Sequence, residues 1–463
     1  MRTATFDALY VNKGQETRAI VVSLVLANGT LVEVGNWRFT SGRFESHRLL
    51  FRIWCRAGNA GLAVTFMRSF GTRLGSDTYV RDMLRRLFLL ILLVGIGIST
   101  AASHGQVPQA DAAIVVVLRN HQYDLKQDGR NFFLHEARRS DFFLLGELHG
   151  ENEIPALLAA IWPQMWEEGY RHIAAEVSPW AAYQLERVPQ GKGPLVQGLW
   201  QKMQAENVHS LAGTKANVLW GCDMEEEQPQ FLIRELSARN PDDANLKRMV
   251  VLTNDGYSRK MAPDLLDILR ESKSSRDEVL NDVSLRRNLL ASLEIEKSRL
   301  NPDTKMIAQD ERELLMKEQF LTHFHHGLTK ATPSKVLFRF GRNHLHRGYD
   351  ARGVSTLGNF IAEFAVAQGA KVFNAGAFAA GGKEALLGNT FDADERQDEL
   401  AFAMLAEQAK YAETVYDLRP IRQMLHQIPQ EKRSALENNL VYWADSYDAL
   451  ICYKTVTPLK SGQ

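Results

Sequence analysis

Acids and imidazoles recur in this chain just after short apolar runs. The stretch "FFLLGELHGENEIP" (142–155) drives four apolar residues into Glu147 and His149, with glycines at 146 and 150. "HIAAEVS" (172–178) runs into Glu176, "NVLWGCD" (217–223) into Asp223, and "KVLFRFGRNHLHR" (335–347) into His344, His346 and Arg347. An imidazole beside carboxylates is the equipment of general acid–base chemistry. The glycines around His149 suit close backbone approach and favour a functional imidazole over a core histidine. A carboxylate at Glu176 after three apolar residues needs a partner, which His149 or an arginine would supply. Asp223 reads equally as a turn acid and as a site acid. In an extended chain His344 and His346 point to one side, a spacing that suits a metal as well as a polar loop with one working histidine. His323, His325 and His326 follow the helical pattern "ERELLMKEQF" and are expected on a solvated face. Glu153 or Asn152 is the expected start residue of the helix after 147.

These residues share a site only if their strands share an edge. Short apolar runs at 141–147, 172–178, 217–223, 335–341, 371–379 and 448–456 alternate with helical patterns at 153–170 and 356–369. That rhythm predicts an α/β fold, a mostly parallel central sheet flanked by helices. In such sheets the carboxyl ends of the strands lie along one edge, where sites form. Residues 225–330 break the rhythm: charged, with leucines at three-to-four spacing, they read as a helical insertion. Residues 103–140 read as an irregular lead-in with a short strand at "AAIVVVL".

Of the 463 residues, 45% are hydrophobic and 24% charged, with 55 basic and 55 acidic side chains and no net charge. That balance gives no sign of a nucleic-acid partner, which calls for a clustered basic face. The three cysteines, Cys55, Cys222 and Cys452, lack metal or redox spacing, and Cys222 and Cys452 read as buried free thiols. Residues 83–105, "MLRRLFLLILLVGIGISTAASHG", carry an arginine pair, an apolar core and a small-residue exit, the three parts of a signal peptide. Two readings follow: Met83 is the initiator and 1–82 a spurious or disordered extension, or 87–102 anchors the chain in a membrane. The first is preferred, although "AIVVSLVLANGTLVEV" within 1–82 is strand-like. In both, the part from about 103 onward is expected to be exported to the periplasm or secreted, with membrane contact only through 87–102.

The motifs "LLGELHGENEIP", "AAEVS", "RELLM" and "FGRNHLHRG", in that order, resemble the erythromycin-esterase-like and ChaN-like superfamily over about 135–456, and "SYDALICYKTVTP" resembles its last strand. The resemblance implies a site built from Glu147, His149, Glu176 and His344, with Arg312, Glu313 and Met316 matching a characteristic helix of the family. The late motif departs from the esterase pattern and leaves the choice between His344 and His346 open. The expectation is therefore a hydrolase of ester-like bonds acting on a small molecule. His149 would be the base on water, Glu147 or Glu176 would orient it, and His344 or His346 would serve the oxyanion or leaving group. Arg312, Asp223 and Arg347 are the expected substrate contacts. No "GxSxG" elbow supplies a serine nucleophile. No cofactor is expected. The alternatives are a divalent metal held by His149, Glu176 and His344, or haem binding of the ChaN-like kind, with Trp180, Tyr183 and the helices near Phe320 as its surroundings.

Overall fold

The computed structural model of the chain describes residues 112–187, 218–226, 229–272, 282–327, 335–386 and 389–459, together with five strands between 5 and 68. Residues 1–105 and 106–463 are separate compact units. In the first, β1 (Thr5–Lys13), β2 (Thr17–Val25) and β3 (Leu31–Thr40) form an antiparallel sheet, and β4 (Leu49–Ala57) pairs with β5 (Ala60–Arg68). The strand-like run noted at 19–34 falls on β2 and β3. The leader-like segment 83–102 lies outside the described residues. Among the described residues no helix is long and apolar enough to cross a membrane.

The second unit is built on a nine-stranded sheet. Its strands are β6 (Gln122–Asp124), β7 (Phe142–Glu147), β8 (Tyr170–Ala175), β9 (Leu219–Gly221), β10 (Lys335–Gly341), β11 (Val372–Leu386), β12 (Asn389–Asp394), β13 (Glu413–Asp417) and β14 (Ala449–Tyr453). The order is β6-β13-β14-β11-β7-β10-β8-β9, with β12 paired to the far end of β11. The six strands from β14 to β9 are parallel; β13 runs against β14 and β6. The expected α/β architecture is therefore present. All six runs read as strands are strands, and both helical patterns are helices.

Both faces of the sheet are covered, which is why the strands read as apolar runs without alternation. Phe143 and Leu145 of β7 pack with α2 (Asp128–Arg139) and α3 (Glu153–Glu167) through Phe133, Ile154, Leu158 and Trp162. Phe142 and Leu144 face the other way, onto α9 (Lys305–Gly327) and α10 (Leu357–Gln368). α1 (Ala112–Asn120), α11 (Leu400–Gln408), α12 (Arg419–Gln427) and α13 (Ala435–Ser446) enclose a further core around Phe378 and Leu450. The run "AAIVVVL" lies in α1 and is helical, contrary to the strand expected there. Ile114 and Leu118, one turn apart, are buried in that core, and their packing overrides the β-branched composition. Between β9 and β10, α5 (Pro229–Arg239), α6 (Ala244–Leu252), α7 (Ala262–Glu271) and α8 (Asp282–Leu300) form a cap with its own core of Leu232, Leu266 and Leu289. α4 (Pro179–Arg187) adds Trp180 to it.

The helix α9 matters most to the site. Glu313, Met316, Phe320 and Phe324 recur at helical spacing, and all four are buried against the sheet. Phe320 is fully buried, with ring centroids of Phe142, Trp220, Phe324, Phe338 and Phe364 between 5.2 and 6.3 Å away. It anchors the helix that delivers Arg312 and Glu313, two turns upstream, to the sheet edge. Replacing Phe320 with alanine is expected to lower the unfolding free energy by about 3–5 kcal/mol, read in urea titrations.

Candidate active site

The parallel registers bring the chemistry together. Glu147 ends β7 directly beside Gly341, the end of β10, and Arg339 of β10 lies beside Ala175, so Glu176 emerges on the same rim. Asp223 follows β9 by two residues. The four expected strand ends therefore converge.

Glu176 sits at the centre. Its Oε2 accepts the backbone N–H of Gly341 at 2.6 Å, and its Oε1 lies 2.9 Å from Arg312 Nη2 and 3.3 Å from His344 Nε2. Its Oε2 also faces His149 Nε2 at 3.9 Å. Burial opposes its charge, but His344, His149 and Arg312 outweigh that and hold the carboxyl well below its ordinary range. Arg312 forks onto Asp223, with Nε at 3.0 Å and Nη2 at 2.5 Å, and its Nη2 reaches Glu226 at 3.4 Å. Burial pushes the Asp223 carboxyl up against the pull of Arg312. These contacts occupy Arg312 and Asp223 with each other.

His344 is buried with a carboxylate at each ring nitrogen, Glu313 at Nδ1 (2.5 Å) and Glu176 at Nε2. Burial lowers its pKa, yet the two carboxylates outweigh burial and raise it to about 10. At neutral pH it is a doubly protonated cation with both N–H groups spent on carboxylates. Glu313 gives its other oxygen to the backbone N–H of Leu357 at the start of α10.

His149 differs from the rest. Its side chain is 48% exposed, with Nδ1 3.6 Å from Glu147 Oε1 and Nε2 facing Glu176. Burial draws its pKa down, but Glu147 and Glu176 prevail and raise it to about 9. Glu147 is itself fixed by Arg339, whose Nε donates to its Oε2 at 2.6 Å. Gly341 leaves the room: a Cβ there would stand 2.5 Å from His149 Nε2 and 3.2 Å from Glu176 Oε2. Gly150, at φ +78°, lies against the backbone of Ala385, whose N–H donates to its carbonyl at 2.8 Å.

His346 and Arg347 are placed elsewhere. The turn Arg342–His344 is a 3-10 helix, so the extended geometry that would align His344 with His346 does not form. The His346 ring lies 4.4 Å from that of Tyr442 and contacts Ser446 Oγ at 2.5 Å, and burial lowers its pKa to about 4. Arg347 grips both oxygens of Asp448, whose Oδ2 also accepts the Asn374 N–H. His346 ties the loop to the helix Ala435–Ser446, and Arg347 ties it to the residue before β14.

Other expectations change as well. α3 starts at Glu153 with Asn152 at its N-cap position, as expected, but neither side chain makes the capping bond: Glu151 accepts the Ile154 N–H at 3.0 Å, while Glu153 holds Thr457. His323 is not on a solvated face, for its ring stacks on Trp220 and its Nε2 contacts the Gly221 carbonyl at 3.0 Å. His325 is exposed, as expected. Cys222 and Cys452 are buried free thiols. Arg339 and Glu313 carry the site's buried pairs. Arg339 was missed, although a lone arginine inside "VLFRF" signals a buried acid partner.

Among the described residues no group of three or more His, Cys, Asp or Glu side chains is arranged to hold a metal ion. The surroundings named for haem are packed: Trp180 in the cap core, Phe320 in the aromatic cluster under α9.

No protein-family model and no curated protein matches the chain. Among solved structures it is similar to a succinoglycan biosynthesis protein, at 14% identity and TM-score 0.51, over 77% of this chain and 100% of that one. The likeness is one of fold. Both families that the motifs resemble are represented too. A mutant of the erythromycin esterase EreC in its open conformation matches at 11% identity and TM-score 0.49, over 72% of this chain and 94% of that one. A haem-binding ChaN of Campylobacter jejuni matches at 14% identity and TM-score 0.27, over 57% and 89%.

His344 separates two buried carboxylates, so His344→Ala is expected to cost about 3–5 kcal/mol of stability at pH 7. Its folded pKa lies above the ordinary 6.5, so its stabilisation is complete below about pH 6.5 and is lost as pH rises through 10. Urea titrations across that range should show the gap between wild type and variant narrowing upward.

Proposed function

We propose that the chain hydrolyses an ester-like bond of a small molecule, with His149 as general base on the attacking water. The observation that carries this reading is the half-exposed His149 imidazole held between Glu147 and Glu176. Water reaches it, and two carboxylates raise its basicity. Neutral His149 takes a proton as the water oxygen bonds to the carbonyl carbon; the bond to the leaving oxygen then breaks and that oxygen receives the proton. Glu147, fixed by Arg339, and Glu176, fixed by Gly341, Arg312 and His344, orient the ring and stabilise the imidazolium between the two steps. His344 positions Glu176 in this scheme and takes no proton. Glu176, with its depressed pKa, is a poor base and a good electrostatic partner. The leader-like residues 83–105 support an exported location for this activity.

An imidazole with a pKa of about 9 is neutral in only about one molecule in a hundred at pH 7. On a panel of simple esters, kcat/KM is therefore expected to rise about tenfold per pH unit up to about pH 9 and then level. His149→Ala should remove that limb and nearly all activity; a variant that keeps the wild-type rate and profile ends the assignment.

Gly341→Ala tests the geometry. Its backbone (φ −49°) tolerates alanine, but the added methyl displaces the His149 ring. A shift of about 1 Å in a reacting group can cost on the order of a hundredfold in rate. The expected result is that loss with a melting temperature close to wild type.

A further inference from the structure

Beside the rim, under the cap, lies a cavity of about 570 Å³ bounded by the ends of α8 and α9, the turn Arg259–Met261 and the loop after β10. Glu226 is the wall it shares with the candidate site, since Glu226 also faces Arg312. Its polar lining is mainly cationic: Arg259, Arg299, Lys305 and Arg352. Part of that charge is answered. Arg259 and Arg299 share Glu296 and Glu226, and Arg352 pairs with Asp350. Four cations against three carboxylates leave one positive charge over. That charge is Lys305, exposed at the first turn of α9 and without a carboxylate partner among the described residues. The lining also holds an unanswered donor: Gln309 Nε2 is enclosed and donates to no acceptor. Buried donors are rarely left so, and a turn of the Gln309 side chain toward the cavity would let an acceptor oxygen from a ligand complete it. Leu300, Pro302 and Met306 form the apolar side.

We propose that this cavity receives an oxyanion, a carboxylate or phosphate, borne on an apolar segment of the substrate, with Lys305 and Gln309 as its receptors. The proposal rests on the hydrolase reading for its place in catalysis, but the binding it requires is independent of turnover. A surplus cation beside already paired arginines attracts an anion without first breaking their pairs. Gln309 offers a donor to the anion, and the apolar wall takes the carbon chain that bears it.

Two measurements separate the claims. In the first, glutarate and inorganic phosphate are titrated calorimetrically into the full chain at one fixed ionic strength, because salt screens such contacts. Binding of either supports the cavity, and the tighter of the two identifies the oxyanion. Lys305→Glu should weaken it at least tenfold and Lys305→Arg should retain it; Lys305 is exposed, so neither threatens the fold. If neither anion binds, or Lys305→Glu binds as well as wild type, the proposal is overturned even if esters are hydrolysed. In the second, mono-p-nitrophenyl glutarate is compared with p-nitrophenyl valerate, which differ by one terminal carboxylate. The glutarate ester should be favoured in kcat/KM about tenfold or more by wild type and lose that preference in Lys305→Glu. An unchanged preference overturns the cavity's role in selectivity. Anion binding without hydrolysis of either ester leaves the cavity standing and removes the hydrolase reading.

Discussion

The carboxylate of Glu176 is the interaction on which the site is built. It faces a backbone N–H, a guanidinium and two imidazoles, drawn from β10, α9, the turn after β10 and the loop after β7. A charge at that depth is tolerable only with such partners. The partners in turn need their own counter-charges, so Arg312 takes Asp223 and His344 takes Glu313. The cluster thus ties α9 to the sheet edge through alternating charges. Removing one member strands the next, which makes the arrangement a constraint on the fold as well as on the chemistry.

That constraint divides labour between the two histidines of the cluster. His344 is buried and doubly bonded to carboxylates, so its proton is locked. His149 meets the same kind of partners at longer distances and with half its side chain in solvent. Its proton can exchange with water. The same carboxylates that hold it also raise its basicity, so neutral base is scarce at pH 7 while each neutral ring is a strong one.

Much of this was legible in the chain itself. Each short apolar run buried on both faces became a strand, and the parallel sheet then obliged Glu147, Glu176, Asp223 and His344 to share an edge. What was not legible depended on local geometry or on tertiary packing. The "HLH" pair separates because Arg342–His344 winds into a 3-10 turn, sending His346 into the aromatic side chains of α13. "AAIVVVL" has strand composition, yet it lies over a core that needs residues one turn apart. Asp223 and Arg312 were both named, but their mutual fork is a contact between elements 89 residues apart that no spacing reveals.

The cap adds a second use of the same electrostatics. Glu226 pairs with Arg299 on the cavity side and faces Arg312 on the rim side, so it belongs to both charge networks. A negative group beside Lys305 leaves the Arg299–Glu226 pair formed and repels Glu226 through space, and so bears on the balance between Glu226 and Glu176 around Arg312. Because the two networks share one carboxylate, occupancy of the cavity and the charge balance around Glu176, and through it His149, are physically linked rather than independent properties of neighbouring sites.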